Sequence, residues 1–148
     1  MIQGEASDRC LFCRIIAGDI PASIVVQDTH VVAFMDIEPV NPGHVMVVPR
    51  RHCLGVSDMP EDVGLQLWST AHRLAGVMRS AFPETQGINL LLSEGEAADQ
   101  SVPHAHLHVI PRRAGDPLRI SAAPAAPEPR DHLDQAARQL QAHLRPDS

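Results

Sequence analysis

The chain has 148 residues, a formal net charge of −6 and 3% aromatic residues. Its length suits a single domain with a real hydrophobic core. The acidic charge argues against a non-specific nucleic-acid binder, and the scarcity of aromatic side chains argues against a base-stacking platform. No apolar run approaches the roughly 18 residues of a membrane-spanning helix. We therefore expect neither a nucleic acid nor a membrane as partner.

The N-terminal half predicts a short helix followed by three strands. The segment "CLFCRIIAGDIPA" reads as a helix that begins after Cys10 and ends at Gly18 and Pro21. The segment "SIVVQDTHVVAFMDI" reads as two strands around a polar turn at residues 27–30. A turn at "EPVNPGH" leads into the buried-looking strand "HVMVVPR".

The C-terminal half predicts one long helix, two more strands and a terminal helix. The long helix is "DMPEDVGLQLWSTAHRLAGVMRSAF", with Asp58 as its cap and Pro60 in its first turn. The strand "GINLLLS", the loop "EGEAADQS" and the strand "SVPHAHLHVIPR" follow. A Pro/Ala linker then leads to the helix "DHLDQAARQLQAHL". The pattern predicts an α+β fold with a mostly antiparallel sheet.

Three histidines alternate with apolar residues in "HAHLHVI". On a strand, His104, His106 and His108 share one face, and the residues between them face the core. On a helix they would scatter over an arc of about 400°, and no common site would form. Chance alternation and a row of metal-binding histidines without catalysis are two alternative interpretations of this pattern.

A row of imidazoles favours nucleophilic chemistry on an anionic electrophile. Imidazole titrates near neutral pH, so a cluster can mix neutral and charged members. A neutral histidine can attack, while a charged neighbour stabilises the developing anion or protonates the leaving group. His106, which has a histidine on each side, is the best-placed nucleophile, and phosphorus fits as the electrophile.

The same motif carries a resemblance to a known family. "HAHLHVI" is similar to the signature of the histidine-triad nucleotide hydrolases, and two flanking segments extend the resemblance over about residues 10 to 113. The first is "CLFCRIIAGDIPASIVVQDTHVVAFMDIEPVNPGHVMVVPRRH", and the second is "GINLLLSEGEAADQSVPHAHLHVIPR". The chain most closely resembles the Hint-like, bacterial branch. The resemblance implies a histidine-triad fold with a five-stranded sheet, and a homodimer.

The resemblance also implies a role for each matching residue. His106 would attack the α-phosphorus of a nucleotide, His108 would donate to the phosphate or the scissile atom, and His104 would orient the nucleophile. His44 matches a histidine that buttresses the triad, and Ser101 matches a hydroxyl that assists the leaving group. Asp36 matches a carboxylate on the ribose hydroxyls. The residues that match the base pocket are Leu11, Phe12, Ile15, Phe34 and Ile37. Ser93 matches the ribose contact, and Gln100 and Val102 match the phosphate loop.

Three positions depart from the family pattern. Asp99 stands where a glycine usually precedes the glutamine, and a carboxylate near phosphate is repulsive. Ser93 is shorter than the asparagine that relatives often carry, so we expect that ribose contact to be lost or bridged by water. Pro103 replaces an aromatic or aliphatic residue and suits an edge or a strand start.

A second group of residues predicts a metal site. Cys10 and Cys13 form C-x2-C, a spacing typical of one half of a zinc site, and Cys53 is one candidate for a further ligand. The resemblance to bacterial relatives instead implies Zn²⁺ held by Cys10, Cys13, His52 and His104. Four protein ligands leave no open position, so that zinc would be structural. Two reduced cysteines at a helix start are the alternative.

We therefore expect a nucleotide hydrolase that cleaves at the α-phosphate of nucleoside 5′-monophosphate derivatives, with purines favoured, without a catalytic metal. The catalytic domain would span residues 10–113, after a tail of residues 1–9 and before an extension of residues 114–148. An odd cysteine count without an apolar signal segment predicts a cytoplasmic protein. A nucleotidyltransferase, a nucleotide-binding regulatory module and a simple metal-binding protein are the alternatives.

Overall fold

A computed structural model describes residues 8–144 of the chain. The bounds of its main elements, in chain order, are α1 Leu11–Ala17, β1 Ile24–Gln27, β2 Val31–Met35, β3 Val45–Pro49, α2 Glu61–Ala81, β4 Gly87–Leu92, β5 Leu107–Arg112 and α3 Arg130–His143. The strands form a five-stranded sheet in the order β1-β2-β3-β5-β4, and every neighbouring pair is antiparallel. The predicted α+β class and five-stranded sheet are confirmed.

The sheet is covered on both faces because its central strands are apolar at every position. In β2 and β3, alternate residues such as Val31 and Val45 pack with Leu67 and Ala71 of α2. The residues between them, Val32, Phe34, Met46 and Val48, form a second cluster with Phe12 of α1. His108 pairs with Met46 across β5 and β3, which places it on the face opposite the long helix.

The long helix α2 begins later than predicted. Its N-cap is Pro60, and the Asp58 carboxylate accepts hydrogen bonds from the backbone N–H groups of Leu54 and Gly55 instead. Asp58 was therefore wrong as the predicted cap, because its side chain is occupied by the preceding loop.

Within residues 8–144 the chain divides into two compact units, one up to residue 118 and one from residue 119. The second contains the predicted terminal helix, α3, whose Leu133, Leu140 and Leu144 side chains are exposed. The domain boundaries given above remain predictions, and most of the tail at residues 1–9 lies outside the described residues. No helix within residues 8–144 is both long and apolar enough to cross a membrane.

Candidate active site and metal centre

The histidine row lies at the start of β5 and not wholly within it. β5 begins at Leu107, so His108 is in the strand while His104 and His106 precede it. The N–H of Ala105 donates to Cys53 O at 2.7 Å, and His104 N–H donates to Val102 O. The backbone N–H groups of His104 and Ala105 therefore donate to loop carbonyls and not to a neighbouring strand. The prediction of one continuous strand over all three histidines was wrong on this point.

The backbone carbonyl of His104 holds the His106 ring in one tautomer. Its Nδ1 lies 2.7 Å from the carbonyl oxygen of His104, and a carbonyl only accepts, so Nδ1 carries the proton. The ring is buried and makes edge contacts with Phe12 and His108 at centroid distances of 5.1 and 4.9 Å. The second nitrogen, Nε2, is therefore left with its lone pair, which is what a nucleophile requires.

His108 and His44 form a directed pair. The N–H of Val40 donates to His44 Nδ1 at 3.1 Å, so a neutral His44 carries its proton on Nε2. His44 Nε2 lies 2.8 Å from His108 Nδ1 and donates to it. His108 Nδ1 is thus an acceptor, and its remaining proton lies on Nε2. One backbone N–H thereby sets the tautomers of two histidines in sequence.

Both members of this pair favour the neutral state. Burial, followed by the nearby His106 and His44, lowers the pKa of His108 to about 4, although Asp36 opposes the shift. Burial also lowers the pKa of His44 from its usual 6.5, again against Asp36. Near neutral pH, His108 therefore presents a neutral N–H donor.

Asp36 lies beside the pair. One carboxylate oxygen, Oδ1, accepts from the N–H of Glu38 at 2.9 Å. The other, Oδ2, lies 3.5 Å from His44 Nε2 and 3.9 Å from His108 Nδ1. Although one ligand atom from each of these three side chains falls within 4.8 Å of the others, the group is a poor metal site. The Val40 donor keeps the His44 proton on Nε2, where a metal would need the lone pair.

Two residues of the turn before His44, Gly43 and Asn41, hold that turn in place, although the sequence pattern marked the segment only as a turn. Gly43 has φ +98, and a Cβ there would lie 2.6 Å from the Phe82 ring, so a side chain is excluded. Asn41 is buried and donates through Nδ2 to Pro111 O and to Asp116, both at 2.9 Å.

The anchor of this turn is itself an ion pair. Asp116 is buried, and Arg112 donates to both of its carboxylate oxygens at 2.7 Å. These hydrogen bonds hold the pKa of Asp116 well below its usual range. The "NPG" turn signal marked this place, but nothing in the local sequence connected it to an aspartate 75 residues later.

The predicted metal ligands come together. One ligand atom from each of Cys10, Cys13, His52 and His104 lies within 4.8 Å of the others. His104 Nδ1 is 3.3 Å from Cys10 Sγ and 3.5 Å from Cys13 Sγ, and Cys13 Sγ is 3.4 Å from His52 Nδ1. A tetrahedral Zn²⁺ with ordinary bond lengths places sulfur and nitrogen ligands about 3.6 Å apart. Cys53, the other cysteine considered, is not in this group.

The second nitrogen of His104 supports the metal assignment. His104 Nε2 lies 2.9 Å from Pro49 O and donates to it, which leaves the Nδ1 lone pair directed at the two sulfurs. Burial lowers the pKa of His104 to about 4, and burial raises the pKa of the Cys13 thiol to about 12. A bound cation compensates for the cost of that thiolate, because metal ligation releases the thiol proton.

The metal group and the nucleophile meet in one residue. His104 offers its ring to the cysteines, while its backbone carbonyl accepts the Nδ1 proton of His106. A metal that fixes the His104 ring thus also fixes the acceptor that sets the tautomer of the nucleophile. The organising role predicted for His104 has a direct geometric route.

The residues predicted to line the base pocket fall into two groups. Phe12 and Phe34 are buried in edge contact at 5.5 Å, and Ile15 and Val102 pack against the same cluster. Leu11 is 44% exposed and Ile37 is 92% exposed. The buried members belong to the second core, whereas Leu11 and Ile37 offer apolar surface to solvent.

The residues predicted around the phosphate lie in the connection from β4 to β5. Ser93 directly follows β4 and is half-buried, and Ser101 is exposed. Asp99 has φ 59, a left-handed conformation, which explains why a glycine suits this position. Gln100 does not offer its amide to solvent: it accepts from Gly95 N–H and donates to Leu54 O.

A separate cleft of about 290 Å³ is lined by Asn41, Phe82, Thr85, Pro111, Arg113 and neighbouring residues. None of the residues predicted for the nucleotide site lines it. Asn41 and Pro42, which belong to the turn before His44, form part of its lining.

Comparison with known proteins follows this geometry. A family profile described as "HIT domain" matches residues 17–115, about two thirds of the chain. The chain belongs to the HIT family. "Protein hit" of Bacillus subtilis is 42% identical over 108 residues, which cover 73% of this chain and 74% of that protein. "Adenosine 5′-monophosphoramidase HNT1" of Saccharomyces cerevisiae is 32% identical over 135 residues, covering 91% and 82%.

Solved HIT structures share the fold. A HIT family member from Bacillus subtilis superposes with a TM-score of 0.87 at 35% identity, covering 94% of this chain and 99% of that one. A Zn-bound histidine triad family protein from Mycobacterium smegmatis has a TM-score of 0.71 at 33% identity, covering 93% and 99%. Family membership and fold are therefore shown, and relatives of this chain include nucleotide phosphoramidases.

Proposed function

We propose that this HIT protein hydrolyses nucleoside 5′-monophosphate derivatives through a nucleotidyl-His106 intermediate. The observation that carries the proposal is the 2.7 Å bond from His106 Nδ1 to His104 O, which leaves the Nε2 lone pair available. The phosphoramidase relative in yeast supports an amine as one leaving group.

The reaction takes two steps that balance. In the first, His106 Nε2 forms a bond to the α-phosphorus, the bond from phosphorus to the leaving nitrogen breaks, and the leaving amine takes up one proton. In the second, water attacks the same phosphorus, the bond to His106 breaks, and one proton is released with the nucleoside monophosphate. Splitting the transfer in this way replaces one difficult step with two easier ones.

His108 supplies a fixed donor to this chemistry. Because His44 donates to its Nδ1, His108 presents an Nε2–H group, and its lowered pKa keeps it neutral. It therefore stabilises charge on a phosphate oxygen or the leaving atom by hydrogen bonding. Ser101 would assist the leaving group, and Asp36 would serve the ribose hydroxyls while its Oδ2 remains beside His44.

Zn²⁺ would be held by Cys10, Cys13, His52 and His104, whose spacing fits a tetrahedral ion, and the His104 tautomer leaves its Nδ1 lone pair for the metal. The ion would supply structural cross-linking of helix α1 to the loop before β5. The Zn-bound relative from Mycobacterium smegmatis supports this assignment. The catalytic steps proceed on the chain's own side chains.

The proposal also includes the base preference, the cellular location and the homodimer that were expected from the sequence. A purine base would rest on the apolar surface that Leu11 and Ile37 offer to solvent, and the protein would act in the cytoplasm. A homodimer would cover the outer face of α2, where Leu65 and Trp68 are each more than half exposed, together with β4 at the sheet edge. Trp68→Glu should convert a dimer to a monomer in sedimentation analysis, and an unchanged sedimentation coefficient would contradict this interface.

The test of the proposed reaction is hydrolysis of adenosine 5′-phosphoramidate at pH 7 by the wild type and by His106→Ala. Loss of the nucleophile should lower kcat on the order of 10⁴-fold or more. Circular dichroism and metal content control for folding of the variant. Failure of a folded, zinc-loaded wild type on this substrate and on dinucleoside polyphosphates would contradict the proposal.

A further inference from the structure

Two loops beside the triad are joined by side chains that the proposed chemistry does not use. The 53–58 loop directly follows the metal ligand His52, and the 94–100 loop directly precedes Ser101. Neither is assigned as a strand, and no sequence pattern pairs them.

The loops are tied at two points, and a third bond, from Ala105 just beyond the 94–100 loop, continues the antiparallel order. The N–H of Ala105 donates to Cys53 O at 2.7 Å, Gln100 Nε2 donates to Leu54 O at 2.6 Å, and Ser57 donates to Glu94 through its N–H at 3.0 Å and through its hydroxyl. As the chain runs forward through one loop, its partners run backward through the other. The two loops therefore form a short ladder in which side chains replace most of the backbone bonds.

Each loop is also fixed internally. Gln100 closes the 94–100 loop, because its Oε1 accepts from Gly95 N–H at 2.8 Å and its own N–H donates to Gly95 O. Asp58 closes the 53–58 loop by accepting from the N–H groups of Leu54 and Gly55. The ties thus join two closed loops, so moving one displaces the other.

A glycine makes room for the outermost tie. Gly55 is buried, and a Cβ there would lie 2.2 Å from the side-chain carbons of Glu94. The backbone at Gly55 is not in the left-handed region, and the three atoms nearest to an added Cβ all belong to the Glu94 side chain that passes over it. Position 55 therefore reports whether the Glu94 carboxylate occupies this place.

We propose that Glu94 is a positioning residue whose carboxylate fixes the 94–100 loop against the 53–58 loop and so fixes Ser101 and the backbone N–H groups beside it toward the phosphate. The inference rests on the proposed nucleotide hydrolysis and adds a residue to it. Glu94 itself touches neither substrate nor triad. It acts at a distance through Gln100, which carries the connection from the tie at Leu54 to Ser101.

The expected effect falls on kcat. Transition-state charge develops on the phosphate oxygens, so donors that are misplaced by about 1 Å lose more there than in the ground state, by up to ~100-fold. Glu94→Ala should lower kcat by about tenfold with KM changed less than about threefold. Glu94→Gln should restore most of the rate, since its amide oxygen still accepts from Ser57 N–H and its NH₂ can donate to the Ser57 hydroxyl.

The decisive experiment is a double-mutant cycle between positions 55 and 94. Gly55→Ala should expel the carboxylate and lower kcat about as much as Glu94→Ala. In the Glu94→Ala background the three atoms nearest to the added methyl group are gone, so the double variant should be no slower than Glu94→Ala alone. Multiplied effects in the double variant would overturn the proposal, as would a normal rate for Glu94→Ala.

A second readout separates this inference from the proposed function. Hydrogen exchange of the backbone amides in residues 95–103 should be faster in Glu94→Ala and Gly55→Ala than in the wild type, and unchanged in Glu94→Gln. If exchange is faster in these two variants but the wild type turns over no nucleotide, the proposed function is contradicted and the contact between the two loops is supported. Unchanged exchange in an active enzyme would contradict the tie alone.

Discussion

The two ends of the histidine row place similar rings in environments with opposite consequences. His104 and His108 are both shielded from solvent, and burial lowers the pKa of each to about 4. His104 donates from Nε2 to a carbonyl, which frees the Nδ1 lone pair toward two cysteines. His108 accepts on Nδ1 from His44, which leaves Nε2–H toward the site. The partner of the second nitrogen therefore decides whether a buried histidine is a ligand or a donor.

The origin of each partner is also different. At the metal end the deciding group is the backbone carbonyl of Pro49, the last residue of β3. At the other end it is the backbone N–H of Val40, in the turn before β3. Both are main-chain groups next to the same strand, so the backbone around β3 fixes His104 directly and fixes His108 through the His44 side chain.

The largest effect is expected from breaking the metal end. Cys10→Ser removes a thiolate from the group of four, and the affinity for Zn²⁺ should fall by at least about 100-fold. The melting temperature should fall with it, because bound metal contributes folding free energy. Metal content by mass spectrometry and calorimetry give the two readings. Cys53→Ser is the matched control, since that buried thiol lies outside the metal group, and equal metal loss in both variants would refute the assignment.

Removing the hydrogen bond from His44 to His108 should have a smaller effect, and that effect should fall on kcat. His44→Phe removes the donor to His108 Nδ1, so the tautomer of His108 is no longer fixed, and kcat should fall on the order of 100-fold. His44→Gln keeps an N–H donor and should recover part of the rate. Steady-state kinetics with adenosine 5′-phosphoramidate measure both variants. Equal rates for the phenylalanine and glutamine variants would show that the hydrogen bond is not what matters.

The lowered pKa values predict how stability depends on pH. Below pH 6.5 the unfolded chain protonates His108 while the folded protein keeps it neutral down to about pH 4. The unfolded state then binds more protons, so the free energy of unfolding should fall as the pH is lowered through this range. Urea denaturation at several pH values measures the slope, and His108→Gln should make it shallower. A slope that the substitution leaves unchanged would assign the dependence to other groups.

The smallest effect concerns the departure at Asp99. Its left-handed backbone, with φ 59, is strained for a residue with a side chain, so Asp99→Gly should stabilise the fold by about 0.5 kcal/mol. Asp99→Asn keeps a side chain that tolerates this conformation but removes the charge. A lower KM in both variants would show that the Asp99 carboxylate weakens substrate binding. A lower KM in Asp99→Gly alone would show that the backbone conformation at this position is responsible. Chemical denaturation and steady-state kinetics separate these outcomes.

The sequence predicted those features that depend on a short period or a motif. The short apolar runs "VVAFM" and "VMVVP" place two strands, and the four metal ligands that the family resemblance implied come together as expected. The start of β5 was missed because Pro103 and the bond from Ala105 to Cys53 take residues 104–106 out of the ladder. Period-two alternation continues through such a segment and cannot reveal where the partner strand stops.

Contacts between distant loops could not be predicted in this way. The tautomer of His44 depends on Val40 through the turn geometry, and that turn depends on Asp116, 75 residues from Asn41. The tie between Glu94 and Ser57 joins two exposed polar residues with no periodic signal. Such polar contacts are set by tertiary structure, and the local sequence carries no trace of the partner.

The central claim is that His106 Nε2 forms a bond to phosphorus, and rapid acid-free quenching followed by peptide mass spectrometry tests it most directly. Wild-type protein mixed with adenosine 5′-phosphoramidate should carry adenylate on His106, in the peptide that contains residues 104–108. The adduct should be absent in His106→Ala and should persist longer when His108 is replaced by glutamine. Turnover with adenylate on another residue, or with no adduct at all on the reaction timescale, would contradict the account.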